Sequence, residues 1–369
     1  GCTLLEANGP QPMNDPSGGF FDAPWPSETR VTARGSPDLS GFPGGEDIPL
    51  IEAYATVIEQ ELNGTSNNGP VYFRFDSPLD STALPTPEES LNVAVASLFL
   101  INVDPNSPDF GQPVPVQVDF QESATTYQPE NLLAFGPIAG APLRPATRYA
   151  AVVTTDIARA DPQVQEELGS THPNYERWSD LDAALFGIGR SSADIAIASI
   201  FTTQDPVSEM GIITEYIQDR LGVQDLDQLL EERLSSIFAR VYEGQVYVPL
   251  WQHGDRPYAS EGGGFEFDEE DQPIMATWER VRMSVSVPKG AAPANGWPVI
   301  IYVHGTGGDW TSCCDPGISS RAAQRDMVVI GISQPLHGDR ATENTDVELH
   351  SFNLFNPTSA RANFRQGAL

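Results

Sequence analysis

The apolar positions change period along the chain, and those changes divide it. Residues 1–45 hold no sustained period; Phe20, Phe21, Trp25 and Phe42 stand apart among Pro, Gly, Ser and Asp. Such a stretch cannot bury enough apolar surface to fold alone, so it is expected to be a strap whose aromatics lie on a folded body. From Pro49 the spacing turns helical. Leu50, Tyr54, Val57, Ile58 and Leu62 share a face and Gly64 closes the pattern, which predicts a helix over 49–62. The period then falls to two. Strands are expected over 71–75, 93–102, 114–120, 149–155 and 195–203, the third with its prolines at the start, as on an edge strand. Residues 156–190 read as a helical insertion, with polar residues such as His172 in solvent. Asp205-Pro206 predicts an N-cap and first residue for a helix that carries Met210, Ile213, Ile217 and Leu221 on one face and ends at Gly222. It reads as a packed connector rather than a lever.

Strands joined by short, turn-rich connections predict an antiparallel sandwich over 46–204. The segment Leu143-Arg144-Pro145-Ala146-Thr147-Arg148-Tyr149 ahead of Val-Val-Thr-Thr looks like the strand entry of bacterial immunoglobulin-like domains. After a connector at 205–234, residues 235–369 change character. One or two strands are expected over 237–250. Val281, Met283, Val285 and Val287 alternate over 280–287 and suit an antiparallel strand. The run 297–303 and the run 327–332 read as buried parallel strands with a short helix at 318–325 between them, a βαβ unit.

Composition narrows the function classes. The chain of 369 residues carries 51 acidic against 20 basic side chains, a net charge of −31, and its one lysine is Lys289. Phosphate attraction needs a basic surface, so nucleic acid and anionic lipid are poor partners. No apolar run approaches the roughly 18–20 residues needed to span a bilayer. Cys2 follows Gly1 at the head of the strap and resembles the lipid-bearing cysteine of bacterial lipoproteins, which are made with a signal peptide. That places the protein in the cell envelope, on the outer membrane or cell surface; an incidental cysteine would leave it secreted or periplasmic. Cys313 and Cys314 are neighbours, poorly placed to bridge to each other. They read as ordinary thiols, or as one thiol that pairs outside these residues.

The chemistry concentrates in His304-Gly305-Thr306-Gly307-Gly308, directly after an apolar strand. Glycines there permit positive φ and let backbone N–H groups face open space, where they can receive a developing oxyanion. A phosphate loop would need a following lysine, and Asp309-Trp310 follows instead. Gly305, Thr306 and Gly307 are the expected oxyanion donors, and Trp310 is expected to line an acyl pocket or cap the core. His304 and His337 are expected to brace their turns. Asp268-Glu269-Glu270-Asp271 could gather calcium but lacks the ligand spacing of an EF-hand, so a solvated turn is the simpler reading and no metal site or other cofactor is assigned.

This arrangement resembles the first half of an α/β-hydrolase domain: the oxyanion loop, then a strand ending at Leu336-His337-Gly338. The whole chain is similar to bacterial lipoprotein lipases of the virulence-factor lipase type. Their N-terminal β domain carries a Phe-x-Phe strand and a Pro-Leu-Asp turn, here Phe73-Arg74-Phe75 and Pro78-Leu79-Asp80. The resemblance implies an α/β-hydrolase-like C-terminal part, incomplete, preceded by an all-β immunoglobulin-like sandwich. It implies a serine carboxylic-ester hydrolase acting on an ester or lipid substrate.

One part is missing. No Gly-x-Ser-x-Gly occurs; the nearest imitations are Gly331-Ile332-Ser333-Gln334-Pro335 and Gly189-Arg190-Ser191-Ser192-Ala193. In that family the acid and base follow the nucleophile, so the chain is expected to be an inactive fragment with the helix before the nucleophile strand beginning near Asn363. A missing neighbour strand would leave an apolar sheet edge. The competing expectation is a non-catalytic surface lipoprotein with a β-sandwich binding module and a degenerate hydrolase domain.

Overall fold

The computed structural model describes residues 9–45, 47–222 and 230–369. Cys2, and with it the expected lipid site, lies outside them. The chain divides into two compact units, Gly1–Pro206 and Val207–Leu369. The strap belongs to the first and the connector helix to the second.

The first unit holds α1 (Pro49–Glu61), β1 (Val71–Arg74), β2 (Leu98–Asn102), β3 (Pro113–Val114), β4 (Val116–Gln121), β5 (Leu132–Pro137), β6 (Arg148–Thr154), α2 (Pro162–Glu167), α3 (Tyr175–Gly187) and β7 (Ile195–Thr202). Two antiparallel sheets form, in the orders β1-β5-β4 and β3-β2-β6-β7. They share one core that includes Phe73, Phe135, Leu98, Leu100, Val152 and Ile197. β6 and β7 are buried along almost their whole length rather than at alternate residues. The reason is the insertion between them: Trp178, Leu181 and Leu185 of α3 join the same core, so the second sheet is covered on both faces.

Several expectations need correction. The run 93–102 is a strand only from Leu98, because Asn92 O turns the chain by accepting from Val95 and Ala96 N–H, leaving Val95 exposed. The stretch 114–120 is two strands in different sheets, each at an edge, with Pro115 between them. β5, central in its sheet, has no alternating pattern to announce it. Its Gly136 allows close approach: a Cβ there would lie 2.9 Å from Gly69 O and from Pro70 Cα. Nor is the insertion wholly solvated. Glu167 is buried, accepting from Trp178 Nε1 at 3.0 Å and from Asn174 Nδ2 at 3.1 Å, and pairing with Arg177. Over residues 9–45 the strap packs on the body of this unit. Phe20 and Phe21 are buried against Leu132, and Trp25 bridges to Tyr72.

The second unit holds α4 (Ser208–Tyr216), β8 (Glu231–Ser235), β9 (Ala239–Leu250), β10 (Glu266–Phe267), β11 (Pro273–Ile274), β12 (Thr277–Pro288), β13 (Val299–Ile301), α5 (Pro316–Ala323), β14 (Val328–Ile332), α6 (Val347–Phe352) and α7 (Pro357–Ala368). α4 begins at Ser208 with Val207 as its N-cap, so Asp205-Pro206 lies outside the helix; the helix runs on as a π turn to Leu221 and stops at Gly222, φ 67°. The principal sheet has the order β13-β14-β12-β9-β8. β13 and β14 are parallel and the other pairings antiparallel. The parallel strand–helix–strand unit is therefore present. β13, however, is not buried: it forms the sheet edge, with Val299 59 % and Ile301 78 % exposed. The last helix starts at Pro357, earlier than Asn363, capped by Asn356, whose side chain accepts from Ser359 N. It docks through polar side chains. Gln366 Oε1 accepts from Trp251 N at 2.7 Å, and Asn363 Oδ1 accepts from Gln252 Nε2 at 2.8 Å. Among the described residues no helix is long and apolar enough to cross a membrane.

Candidate functional site

The loop 304–308 leaves the C-terminal end of β13 as a tight turn closed by Gly308 N–H donating to Gly305 O at 3.0 Å. Gly307 has φ 81°, a conformation that L side chains rarely adopt. Gly305 is not so constrained: a Cβ there would meet nothing within 4 Å. The constrained neighbour is Gly308, where a Cβ would lie 2.9 Å from Cβ and Cγ of His304. Residues 305–307 are exposed, and their N–H groups have no protein acceptor among the described residues.

His304 is buried under this turn with both ring nitrogens engaged. Gln334 N–H donates to Nε2 at 2.9 Å, so Nε2 is unprotonated. Nδ1 therefore carries the proton and donates to Gly305 O at 2.8 Å. The ring ties the loop after β13 to the loop after β14. His337 meets it edge-on, ring centroids 5.0 Å apart. His337 Nδ1 donates to Pro335 O at 2.9 Å, while its buried Nε2 has no hydrogen-bond partner among the described residues. Burial pushes the His337 pKa below its ordinary value; the Pro335 carbonyl opposes that, and the nearby His304 and Arg340 reinforce it. The ring is therefore neutral at pH 7.

The loop after β14 is held by a second set of contacts that no sequence pattern announced. Leu336 is buried at φ 64°, an unfavourable backbone for a non-glycine residue. Arg340, almost fully buried, donates to Ser333 O at 3.1 Å and pairs with Glu279 of β12 at 2.8 Å; Arg256 reaches the same carboxylate at 2.6 Å. Those contacts hold the Glu279 carboxyl below its ordinary range against the opposing effect of its burial. Asp339 accepts from Ser333 Oγ at 2.7 Å and from Arg282 N at 2.7 Å. Charged residues scattered over 256–340 converge only through the sheet, so their spacing carried no signal.

Trp310 is half-buried. The Arg282 guanidinium covers its ring at 3.8 Å, and Gly338 packs beside it. Neither imitation of a nucleophile is available. Ser333 Oγ is buried on Asp339, and Ser191 caps a short 3-10 turn. His253 and His350 have backbone partners, Ile274 O and Asp346 N. In the acidic turn, Asp268 accepts from Glu270 and Gln272 N–H, as a turn residue does. Among the described residues no group of three or more His, Cys, Asp or Glu could hold a metal ion.

What the arrangement can do chemically is present unpaired N–H donors from a rigidly braced turn. No family model matches this chain. No curated protein matches it either. Among solved structures, the N-terminal part of the bacterial S-layer protein SbsC is similar at 10 % identity over 69 % of this chain, with a TM-score of 0.19. The match spans half of that chain, and at that score it carries no argument about fold.

Proposed function

We propose that residues 235–369 are the first half of a serine carboxylic-ester hydrolase domain, with 305–307 as its oxyanion loop. The observation that carries this reading is the loop: N–H groups without protein acceptors among the described residues, on a turn that buried His304 braces from below. A serine hydroxyl, activated by a histidine and an acid, would attack the ester carbonyl. The loop donors would meet the negative charge that develops on its oxygen, and the turn would not need to reorganise. The reading assigns no nucleophile, acid or base among these 369 residues. His304 in particular has no free ring nitrogen with which to act as one. The β-rich first unit stands ahead of that domain as its immunoglobulin-like partner.

The 369 residues by themselves should not hydrolyse p-nitrophenyl butyrate above background. In protein made from the complete natural reading frame, Gly307→Val should lower kcat by about 10²–10³ with little change in KM, because the charge exists only in the transition state. Near-normal kcat in a folded Gly307→Val enzyme would overturn the oxyanion assignment. Turnover by the 369 residues that a serine-directed phosphonate abolishes would place a nucleophile among them. If the complete protein holds no serine that the phosphonate labels, the non-catalytic surface lipoprotein stands instead. The same reading puts the protein in the cell envelope through a lipid on Cys2. Cys2→Ser, expressed with the native signal, should leave the detergent phase, and a variant that stays there removes the anchor.

A further inference from the structure

Cys313 and Cys314 form a buried 3-10 turn between the loop 304–308 and α5. Their Sγ atoms lie 2.9 Å apart, inside the roughly 3.5–4.0 Å of an ordinary non-bonded contact, so closing to the ~2.0 Å of a disulfide takes a shift of about 0.9 Å. Both are free thiols. Cys313 Sγ also lies 3.4 Å from Ser284 O, to which its S–H donates, which leaves the Cys314 S–H pointing at Cys313. The backbone makes room for the pair. A Cβ on Gly331 of β14 would lie 2.8 Å from Cys313 Cβ, so a glycine there lets the turn rest on the sheet. The sequence argued against a bond between neighbours; the fold has brought the two sulfurs together.

We propose that Cys313 and Cys314 are a modification site: a vicinal disulfide formed by exchange with a disulfide oxidant such as oxidised glutathione or a thiol–disulfide oxidoreductase. One of the two thiolates attacks one sulfur of the oxidant, whose S–S bond breaks and releases one thiolate. The other thiolate of the pair then attacks the newly disulfide-bonded Sγ, closes an eight-membered ring and releases the second. Two protein S–H bonds and one oxidant S–S bond are lost; one protein S–S bond and two oxidant thiols are gained, and two electrons pass to the oxidant. The contact with Cys313 and burial push the Cys314 thiol up, so the exchange is slow in the folded protein near neutrality and faster at alkaline pH or during folding. The ring would tie down the turn that directly follows the oxyanion loop. It does not depend on the hydrolase reading, and its failure leaves that reading untouched.

The test uses the 369-residue protein carrying Cys2→Ser, so that this pair supplies all the thiols. It is refolded with oxidised glutathione at pH 8.5, denatured, alkylated with iodoacetamide without reductant and digested with trypsin. Cleavage after Lys289 and Arg321 yields one peptide, 290–321, that contains both cysteines. The expected peptide is two hydrogens lighter than the dithiol and carries no alkyl group; prior dithiothreitol converts it to the doubly alkylated form. The oxidised protein should also melt higher than the reduced one, a difference lost in Cys314→Ser. Two alkyl groups without reductant, a glutathione adduct that does not close, or a disulfide-linked dimer would each overturn the proposal.

Discussion

At the residue scale the decisive side chain is His304, and its role is readable from its donors. A histidine that accepts a backbone N–H on one nitrogen and donates to a carbonyl with the other has no lone pair left for proton transfer. Its sequence position beside a glycine-rich turn invited a chemical role, and nothing in the sequence places Gln334 N–H opposite it. His337 is different, because its neutral ring is part of the fold's stability. Its folded pKa lies below the ordinary 6.5, so below that value the unfolded chain binds more protons than the folded one. Stability from this group is therefore complete above pH 6.5 and falls as pH drops towards the folded pKa. Urea midpoints measured from pH 7.5 to 5.5 should decline. His337→Asn, whose amide can still donate to Pro335 O, should flatten that decline. An unchanged slope in His337→Asn would mean that other groups carry it.

At the element scale the turn after β13 makes three glycines behave differently, although the sequence presents them as equivalents. Gly305→Ala should be nearly neutral, since its Cβ meets open space. Gly307→Ala must hold φ near 81°, which costs a non-glycine residue about 1–2 kcal/mol. Gly308→Ala presses its Cβ onto His304 and should cost about 1–3 kcal/mol as overpacking. Chemical denaturation of the three variants checks the order; a destabilised Gly305→Ala or a neutral Gly308→Ala would show that the turn is built otherwise. The strands on either side were legible for plain reasons. β12 buries Val281 and Met283 on one face as its alternation predicts, but past Met283 the buried positions pass to Ser284 and Ser286 and Val285 is only half-buried; β14 is an apolar run flanked by strands on both sides. β13 has the same apolar run but lies at the edge. Periodicity reports what could be buried and is silent on which neighbour strand does the burying.

At the scale of the whole molecule, the boundary falls at Pro206, and the first unit has a core drawn from its own residues between Val71 and Phe201. Residues 1–206 expressed alone should therefore fold, with a near-ultraviolet signal from buried Trp178 and a cooperative urea transition. A non-cooperative profile would show that the unit needs the rest of the chain. The strap must be included, because Phe20, Phe21 and Trp25 cover Leu132 and Tyr72. The sequence by itself determined the helical insertion, the strand–helix–strand unit and the glycine loop, because each rests on short-range periodicity or on glycine's backbone freedom. Tertiary structure alone decided which sheet edge is bare, which glycine is indispensable, and that Arg256, Glu279 and Arg340 meet. It also decided that two neighbouring thiols face each other over Gly331. These depend on residues far apart in the chain being pressed together by a shared core, and a one-dimensional pattern carries no record of that contact.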